Sequence, residues 1–178
     1  LAGPVVSASV ILGSNVDRSI LKDSKRLSKE QRAEISTLLF KSDTCIGIGV
    51  HSASFIDKYN ILNATLSSMA LSIKSLNKKP KNVLVDGNKT PKLNDSSIDI
   101  QAIVKGDQKV PEISAASIIA KVYRDTIMDC VDKKFPQYEF SYHKGYATES
   151  HYSFIFQYGL LTKFHRKSFN LTRQISLF

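Results

Sequence analysis

Two aspartates, Asp86 and Asp125, lie in apolar segments of the sequence, where an unpaired carboxylate would lower the stability of the fold. Asp125 closes the segment 110–125, which carries apolar residues at helical spacing and is predicted to form a buried helix. Ser117, Lys121 and Asp125 follow one another at intervals of four and therefore share one row of that helix. A buried charge needs a partner or a metal ion. A Lys121–Asp125 surface pair is the alternative, but the scarcity of other polar residues favours a functional interpretation. The apolar positions are Ile113, Ala116, Ala120, Ile127 and Val131.

The second aspartate, Asp86, directly follows the apolar run 82–85, which is typical of a strand buried on both faces. Sites in open α/β sheets lie outside the carboxyl ends of strands, although an Asp-Gly pair can equally be only a turn. Asp86 and Asp125 could converge, and their mutual repulsion would then require a cation between them. Oxygen ligands suit Mg²⁺ or Mn²⁺. In a basic protein, such a site indicates phosphodiester hydrolysis by metal-activated water.

The composition restricts the class of protein. A formal net charge of +9 favours a polyanionic partner, most commonly nucleic acid. The length of 178 residues predicts one domain with its own core. Cys45 and Cys130 lack metal-site spacing, so a reducing cytoplasm is expected. No apolar run reaches transmembrane length and the start lacks a signal peptide's basic segment, so no membrane association is expected. The histidines show no i, i+4 pairing, so no zinc site is expected.

Strands alternate with helices along the chain, which favours an α/β fold. The predicted strands cover residues 4–12, 44–50, 82–85 and 98–104. The glycines of the second strand indicate close approach of another backbone. The predicted helices cover residues 29–39, 60–76, 110–125 and the segment from Thr148 to before Gly159. Ser28 and Gln31 form a capping box at the first helix. The basic tail, 160–178, is predicted to pack loosely.

Seven short motifs occur in the order in which ribonuclease HII has them, and the chain resembles that family over nearly its whole length. Each motif is weak alone, but seven in sequence are strong. The resemblance implies a ribonuclease H-like α/β fold, with a central mixed β-sheet flanked by helices and a helical C-terminal region. We expect a single domain over 1–178, with an α/β core to about 140 and an extension over about 141–178. The motifs are Asp23-Ser-Lys25, Asn60-Ile61, Val85-Asp-Gly-Asn88, Val104-Lys-Gly-Asp107, the run from Ala115 to Asp125, His143-Lys-Gly-Tyr146 and His165-Arg-Lys-Ser-Phe169.

The resemblance also implies an activity. The family's members are endonucleases that hydrolyse the RNA strand of RNA–DNA hybrids and nick 5′ of single ribonucleotides embedded in duplex DNA, a step of ribonucleotide excision repair. Four acids hold two divalent ions, and Asp86 and Asp125 match two of these catalytic metal ligands. Tyr146 matches a tyrosine that stacks on the sugar at the RNA–DNA junction. Lys25 and Lys121 match basic positions near the scissile phosphates. We expect a cytoplasmic monomer that uses Mn²⁺ or Mg²⁺.

The sequence departs from the family at its start. The family carries Asp-Glu-Ala-Gly-Arg-Gly on a first strand, just before the motif that Leu1–Val5 matches. Two of the four acids and the ribonucleotide-reading Gly-Arg-Gly loop are therefore not among residues 1–178. We expect the protein to carry this strand before Leu1, because the central sheet would otherwise have a gap. A chain that began at Leu1 would cleave very weakly or not at all.

The final five residues, Gln174-Ile-Ser-Leu-Phe178, resemble the short peptide with which bacterial replication and repair proteins dock on the sliding clamp. Gln174 would supply hydrogen bonds, and Leu177 with Phe178 would fill an apolar pocket. The alternative is that Leu177 and Phe178 pack on their own domain. Two alternatives to the hybrid-cleaving enzyme also stay open. One is a ribonuclease HIII-like enzyme, and the other is a non-catalytic hybrid-binding module.

Overall fold

The computed structural model describes residues 1–21, 27–169 and 171. Within them, strands and helices alternate as predicted. The strands are β1 (Val5–Ile11), β2 (Cys45–His51), β3 (Asn82–Asp86) and β4 (Asp99–Ile103). The α-helices are α1 (Lys29–Lys41), α2 (Ala53–Lys74), α3 (Pro111–Lys134), α4 (Phe140–His143) and α5 (Glu149–Tyr158). Across the described residues, every helix is too short or too polar to cross a membrane.

Side-chain caps start two of the helices at the predicted residues. At α1, the Ser28 hydroxyl accepts a hydrogen bond from the Gln31 amide at 3.2 Å, and the Ser28 amide donates to the Gln31 side chain at 2.9 Å. At α5, the Thr148 hydroxyl accepts from the His151 amide at 3.2 Å. Each cap satisfies a backbone N–H that has no partner inside the helix. The capping box and the Thr148 cap are therefore confirmed.

Helix α2 begins earlier than predicted, at Ala53 instead of Asn60. Asn60 nevertheless interrupts it, with φ 64° and ψ 166°, and its side-chain oxygen accepts from the Asn63 amide at 3.0 Å. Asparagine tolerates positive φ better than most residues and is a good N-cap. The predicted start is thus a second helix start inside α2. The helical segment before it, from Ala53, was not predicted.

The chain divides into two compact units. The first unit comprises Leu1–Val5, His51–Ala64 and the described residues from Tyr123 onward. The second unit comprises Val6–Val50 and Thr65–Val122. The single domain with an extension from about residue 141 stays a prediction.

Each unit has its own buried apolar cluster, and α3 contributes to both. In the second unit, Ile118 and Ile119 are fully buried and pack with Leu39 of α1. In the first unit, Met128 packs with the aromatic residues Tyr138 and Phe140. A helix that is buried at several turns along its length gains most of its stability from such packing.

Only part of the predicted burial of α3 is correct. Ile113 and Val131 are buried as predicted, but Ala116, Ala120 and Ile127 are half-buried. Tyr123 is 41% exposed, so the helix is not buried all round. Ala116 and Ala120 line a cavity of about 820 Å³ in the second unit, which is why they are not covered.

That cavity borders two strands that are not neighbours in a sheet. Among the described strands, β1 pairs with β2 and β3 pairs in parallel with β4, with Asp86 opposite Ile103. The consecutive residues Val6–Ile11 of β1, the following Leu12 and all of β3 line the cavity. Successive strand residues point to opposite faces, so a lining of consecutive residues means that strand edges border the cavity. Among the described residues, β1 and β3 therefore border the same cavity without pairing with each other.

The prediction that β3 is buried on both faces is wrong. Val85 is buried, but Leu84 is 41% exposed and Val83 is half-buried. The reason is that one edge of β3 pairs with β4 while the other borders the cavity. An apolar run of this kind predicts burial only when both edges and both faces have neighbours.

The glycines of β2 allow helix α2 to approach closely, as predicted. A Cβ at Gly49 would overlap the Ser68 carbonyl oxygen, and one at Gly47 would overlap that of Ser72. Beside these glycines, the Ser7 and Ser68 hydroxyls are 2.6 Å apart, which bonds β1 to the same helix. The contact between strand and helix is therefore set by small and hydroxyl side chains.

We expect Gly49→Ala to destabilise the protein by about 1–3 kcal/mol, because the added methyl group displaces backbone that cannot move alone. Val50→Ala is the matched control, since Val50 is exposed on the same strand, and it should cost less than about 1 kcal/mol. Urea unfolding measures both free energies. Equal losses in the two variants would contradict the close approach.

Candidate active site

Asp86 has a carboxylate that one backbone amide holds in a defined orientation. It is the last residue of β3, and its side chain is exposed. Its Oδ1 accepts a hydrogen bond from the Gly106 amide at 2.8 Å. The adjacent Gly87 has φ +105°, and its amide donates to the Ile103 carbonyl at 3.0 Å. The Asp-Gly pair therefore ends β3 in a glycine with positive φ and supports an oriented, accessible carboxylate.

Gly106 is required by this arrangement. A Cβ at Gly106 would lie 2.6 Å from the Ile113 side chain and 3.5 Å from Asp86 Oδ1. Lys105, just before it, has the left-handed backbone conformation, with φ 57° and ψ 41°. These conformations turn the chain after β4 so that the Gly106 amide points at the carboxylate. The motif Val104-Lys-Gly-Asp107 thus has a local structural explanation. Asp107 lies in the short 3-10 turn and is buried.

Asp125 lies on the part of α3 that belongs to the first unit, whereas Asp86 and Lys121 belong to the second unit. The Asp125 carboxylate is nearly buried, with 9% of the residue exposed, and Lys121 is half-buried. Burial of Asp125 agrees with the prediction that this helix carries a costly charge. Carboxylate oxygens such as those of Asp86 and Asp125 are the donors that hard divalent cations prefer. Among the described residues, no group of three or more His, Cys, Asp or Glu is arranged to hold a metal ion.

Tyr146 is held from two sides. Its carbonyl accepts a hydrogen bond from His151 Nδ1 at 2.8 Å, and the Arg124 guanidinium carbon lies 5.0 Å from its ring centroid. The residue is 54% exposed. A ring with one guanidinium neighbour and substantial exposure can still stack on a further flat or apolar group. The neighbouring Lys144 forms an ion pair with Asp129 of α3.

Three buried histidines hold the backbone around Tyr146. His143 Nδ1 accepts from the Gly145 amide at 3.1 Å, and His143 Nε2 donates to the Tyr138 carbonyl at 2.7 Å. His165 Nδ1 accepts from the Leu161 amide at 2.8 Å. His165 Nε2 must therefore carry the proton in the 3.1 Å contact with His151 Nε2. All three rings are neutral in this arrangement, since every nitrogen has a defined donor or acceptor role.

Burial sets the protonation of these rings. It lowers the pKa of His151 from 6.5 to about 3 and that of His165 from 6.5 to about 4. Burial also lowers the pKa of His143. The sequence predicts no catalytic role for these histidines and favours a role in orienting loops, and their hydrogen bonds to backbone groups are of that kind. The prediction that the tail packs loosely is wrong at His165, which is fully buried.

Not every residue of the candidate site could be predicted from the sequence, and some predicted residues lie outside the part of the chain that the structure describes. Lys25 and the three peptide residues Gln174, Leu177 and Phe178 lie outside the described residues. Arg124 belongs to the motif that ends at Asp125, but that motif does not predict its contact with Tyr146. Helical spacing could have suggested only that Arg124 lies beside Asp125, because the partner 22 positions later depends on the tertiary fold.

The comparisons with known proteins agree on one family. The family model described as Ribonuclease HII matches residues 1–172. A protein named Ribonuclease HII from Pelagibacter ubique is 45% identical over 170 residues, which cover 96% of this chain and 89% of the relative. A second, from Coxiella burnetii, is 44% identical over 178 residues, which cover 100% of this chain and 86% of the relative.

Solved structures confirm the fold class. The crystal structure of the ribonuclease H2 from Pyrococcus horikoshii matches with a TM-score of 0.73 at 26% identity, over 98% of this chain and 92% of that one. The ribonuclease HII in the PCNA:RNase HII complex from Archaeoglobus fulgidus matches with a TM-score of 0.66 at 25% identity, over 89% and 83%. The ribonuclease H-like α/β fold predicted from the sequence is therefore correct.

We expect the free energy of unfolding to fall as the pH decreases below about 6.5, because the unfolded chain then binds protons that folded His151 and His165 exclude. The loss continues until the pH reaches the folded pKa, about 4 for His165 and about 3 for His151, and each histidine contributes at most about 1.4 kcal/mol per pH unit in this range. Urea unfolding at a series of pH values measures the slope. His151→Gln should reduce it, and an unchanged slope would contradict the assignment.

Proposed function

Because the chain belongs to the ribonuclease HII family, a family of endonucleases, we propose that it hydrolyses the RNA strand of RNA–DNA hybrids and nicks 5′ of single ribonucleotides embedded in duplex DNA. The observation that carries this proposal is Asp86, an oriented carboxylate at the carboxyl end of a strand, in a chain that the family model matches over residues 1–172. The net charge of +9 supports a polyanionic substrate. Removal of misincorporated ribonucleotides in the cytoplasm is the process that this activity would serve.

Asp86 and Asp125 are the proposed metal ligands, with Mg²⁺ or Mn²⁺ as the ions. Both carboxylates are hard oxygen donors, and Asp86 keeps one orientation through its bond to the Gly106 amide. When bound, two such ions would lower the pKa of an attacking water and offset the charge on the leaving 3′ oxygen. Such hydrolysis leaves a 3′-hydroxyl and a 5′-phosphate. Lys25 and Lys121 are the proposed neighbours of the scissile phosphate, where a positive charge favours binding.

The cavity of the second unit lies beside Asp86. The edges of β1 and β3 border the cavity, and Asp86 is among its lining residues. A strand added beside β3 would lie about 4.8 Å from it. An acid on such a strand would therefore be close to Asp86. The cavity therefore leaves room for a further metal ligand beside Asp86.

Tyr146 is the proposed reader of the sugar. A tyrosine ring that stacks on a ribose or deoxyribose selects by sugar shape and by the 2′-hydroxyl, and not by base identity. Its exposure of 54% leaves ring surface for this contact. Such a contact would select a ribonucleotide in any sequence context.

We expect Asp86→Asn and Asp125→Asn each to abolish cleavage, with rate losses of at least about 100-fold, because each removes a charge that would hold a metal ion. Substrate binding should be largely preserved. The assay uses a labelled RNA–DNA hybrid and a duplex with one ribonucleotide, with Mn²⁺ or Mg²⁺, and chelation by EDTA should stop the wild-type reaction.

The matched control is Asp99→Asn, an exposed aspartate on the strand next to β3, which should cleave like the wild type. Wild-type turnover in Asp86→Asn or Asp125→Asn would refute the role of that acid. Hybrid binding without any cleavage by the wild type would instead favour the non-catalytic binding module.

The C-terminal peptide is the proposed contact with a bacterial sliding clamp. The relative from Archaeoglobus fulgidus was solved as a PCNA:RNase HII complex, which supports a clamp as a partner of this family. Deletion of residues 174–178 should therefore weaken clamp binding at least about tenfold. Replacing both Leu177 and Phe178 with Ala should have the same effect, while hybrid cleavage without the clamp stays unchanged. Calorimetric titration of the clamp measures the affinity, and equal values with and without the peptide would remove the proposal.

A further inference from the structure

Arg124 makes an unusual set of contacts for a helix residue beside a proposed metal ligand. Its Nε donates to the Pro4 carbonyl at 3.3 Å, and its Nη2 donates to the Ala2 carbonyl at 3.2 Å. Its guanidinium carbon also lies 5.0 Å from the centre of the Tyr146 ring. All of these residues belong to the first unit. The planar group is thus fixed by two carbonyls and lies against one aromatic ring.

The segment that supplies those carbonyls is itself held in place. Arg166 donates to the Gly3 carbonyl at 3.0 Å and to the Pro4 carbonyl at 3.3 Å. The Ala2 amide donates to the Gly145 carbonyl at 3.0 Å. Gly145 has φ +77°, and a Cβ there would lie 2.6 Å from the Ala2 carbonyl oxygen. The residues 2–4 therefore form a fixed support for Arg124 that also contacts the residue before Tyr146.

The backbone and the ring of Tyr146 are fixed by different groups. His151 holds the backbone, since its Nδ1 donates to the Tyr146 carbonyl at 2.8 Å. Arg124 covers part of the ring. One nitrogen of Arg124, Nη1, is buried and has no hydrogen-bond partner among the described residues. A buried N–H without a partner is costly, so hydrogen bonding alone does not explain why a guanidinium is placed here.

We propose that Arg124 is a positioning residue that sets the ring of Tyr146 for contact with the sugar at the RNA–DNA junction. The inference rests on the proposed function, in which Tyr146 reads that sugar. The flat guanidinium stacks along the ring and restricts its rotation, while its two donated hydrogen bonds keep the guanidinium in one plane. A lysine at this position keeps the positive charge but has neither the plane nor the paired donors.

The test compares Arg124→Lys with the wild type on duplex DNA that contains one ribonucleotide. The KM of the variant should rise about three- to tenfold, because an ammonium without the planar guanidinium and its paired donors orients the ring less well, while kcat stays within about twofold. In the Tyr146→Ala background, Arg124→Lys should have no further effect on KM, because the ring that it positions is gone. Additive effects of the two substitutions would overturn the proposal.

The matched control is Arg166→Lys. Arg166 donates to the same segment but lies over a different ring, with its guanidinium carbon 5.2 Å from the centroid of Phe169. It should therefore leave the KM within about twofold of the wild type. An equal rise of KM in both variants would show that the support, and not the stacking, matters, and it would overturn the proposal.

A second readout does not depend on cleavage. The ring resonances of Tyr146, assigned with ¹³C-labelled tyrosine, should shift in Arg124→Lys and remain in place in Arg166→Lys. If the wild type cleaves neither substrate, the proposed function fails, while these spectra still decide whether Arg124 positions the ring. Unchanged Tyr146 resonances in Arg124→Lys would overturn the positioning role.

Discussion

The candidate site depends on the hydrogen bond from the Gly106 amide to Asp86 Oδ1. A carboxylate at a strand end rotates freely unless a donor holds one of its oxygens, and a backbone amide is a donor that cannot itself rotate away. The parallel register of β3 and β4 brings Ile103 opposite Asp86. The chain must then turn within three residues to bring Gly106 back to the carboxylate. The left-handed Lys105 and the side-chain-free Gly106 make this turn possible.

The first unit differs from the second in its polar groups. It buries histidine rings, whereas the second unit exposes the Asp86 carboxylate. His151 and His165 are fully buried, and a charge on either would be costly. Each ring stays neutral and uses one nitrogen as donor and the other as acceptor, so the hydrogen bonds run in one direction to the Tyr146 carbonyl. The direction of these bonds fixes the backbone at Tyr146. A histidine network of this kind specifies one conformation, whereas an apolar core of similar volume would tolerate several.

Much of the secondary structure could be predicted from the sequence, because its signals are local. The Ser28 capping box and the β2 glycines are examples, since each depends on residues a few positions apart or on the absence of a side chain. The burial of β3 could not be predicted, because Leu84 is exposed for lack of a neighbour at one edge. The apolar pattern of a strand reports what the strand can bury and not which neighbours are present.

The residues of the candidate site also differ in whether a local sequence signal predicts them. Asp86 and Asp125 were identifiable because a carboxylate after an apolar strand, or within an apolar helix, is locally conspicuous. Arg124 was not, because an arginine beside an aspartate on a helix is ordinary. Its role comes from carbonyls about 120 positions earlier in the chain and a ring 22 positions later. Neighbouring residues on a helix point about 100° apart, so Asp125 and Arg124 face different surroundings from the same turn of α3. That turn can therefore carry a proposed metal ligand on one side and the support of a proposed sugar-reading tyrosine on the other.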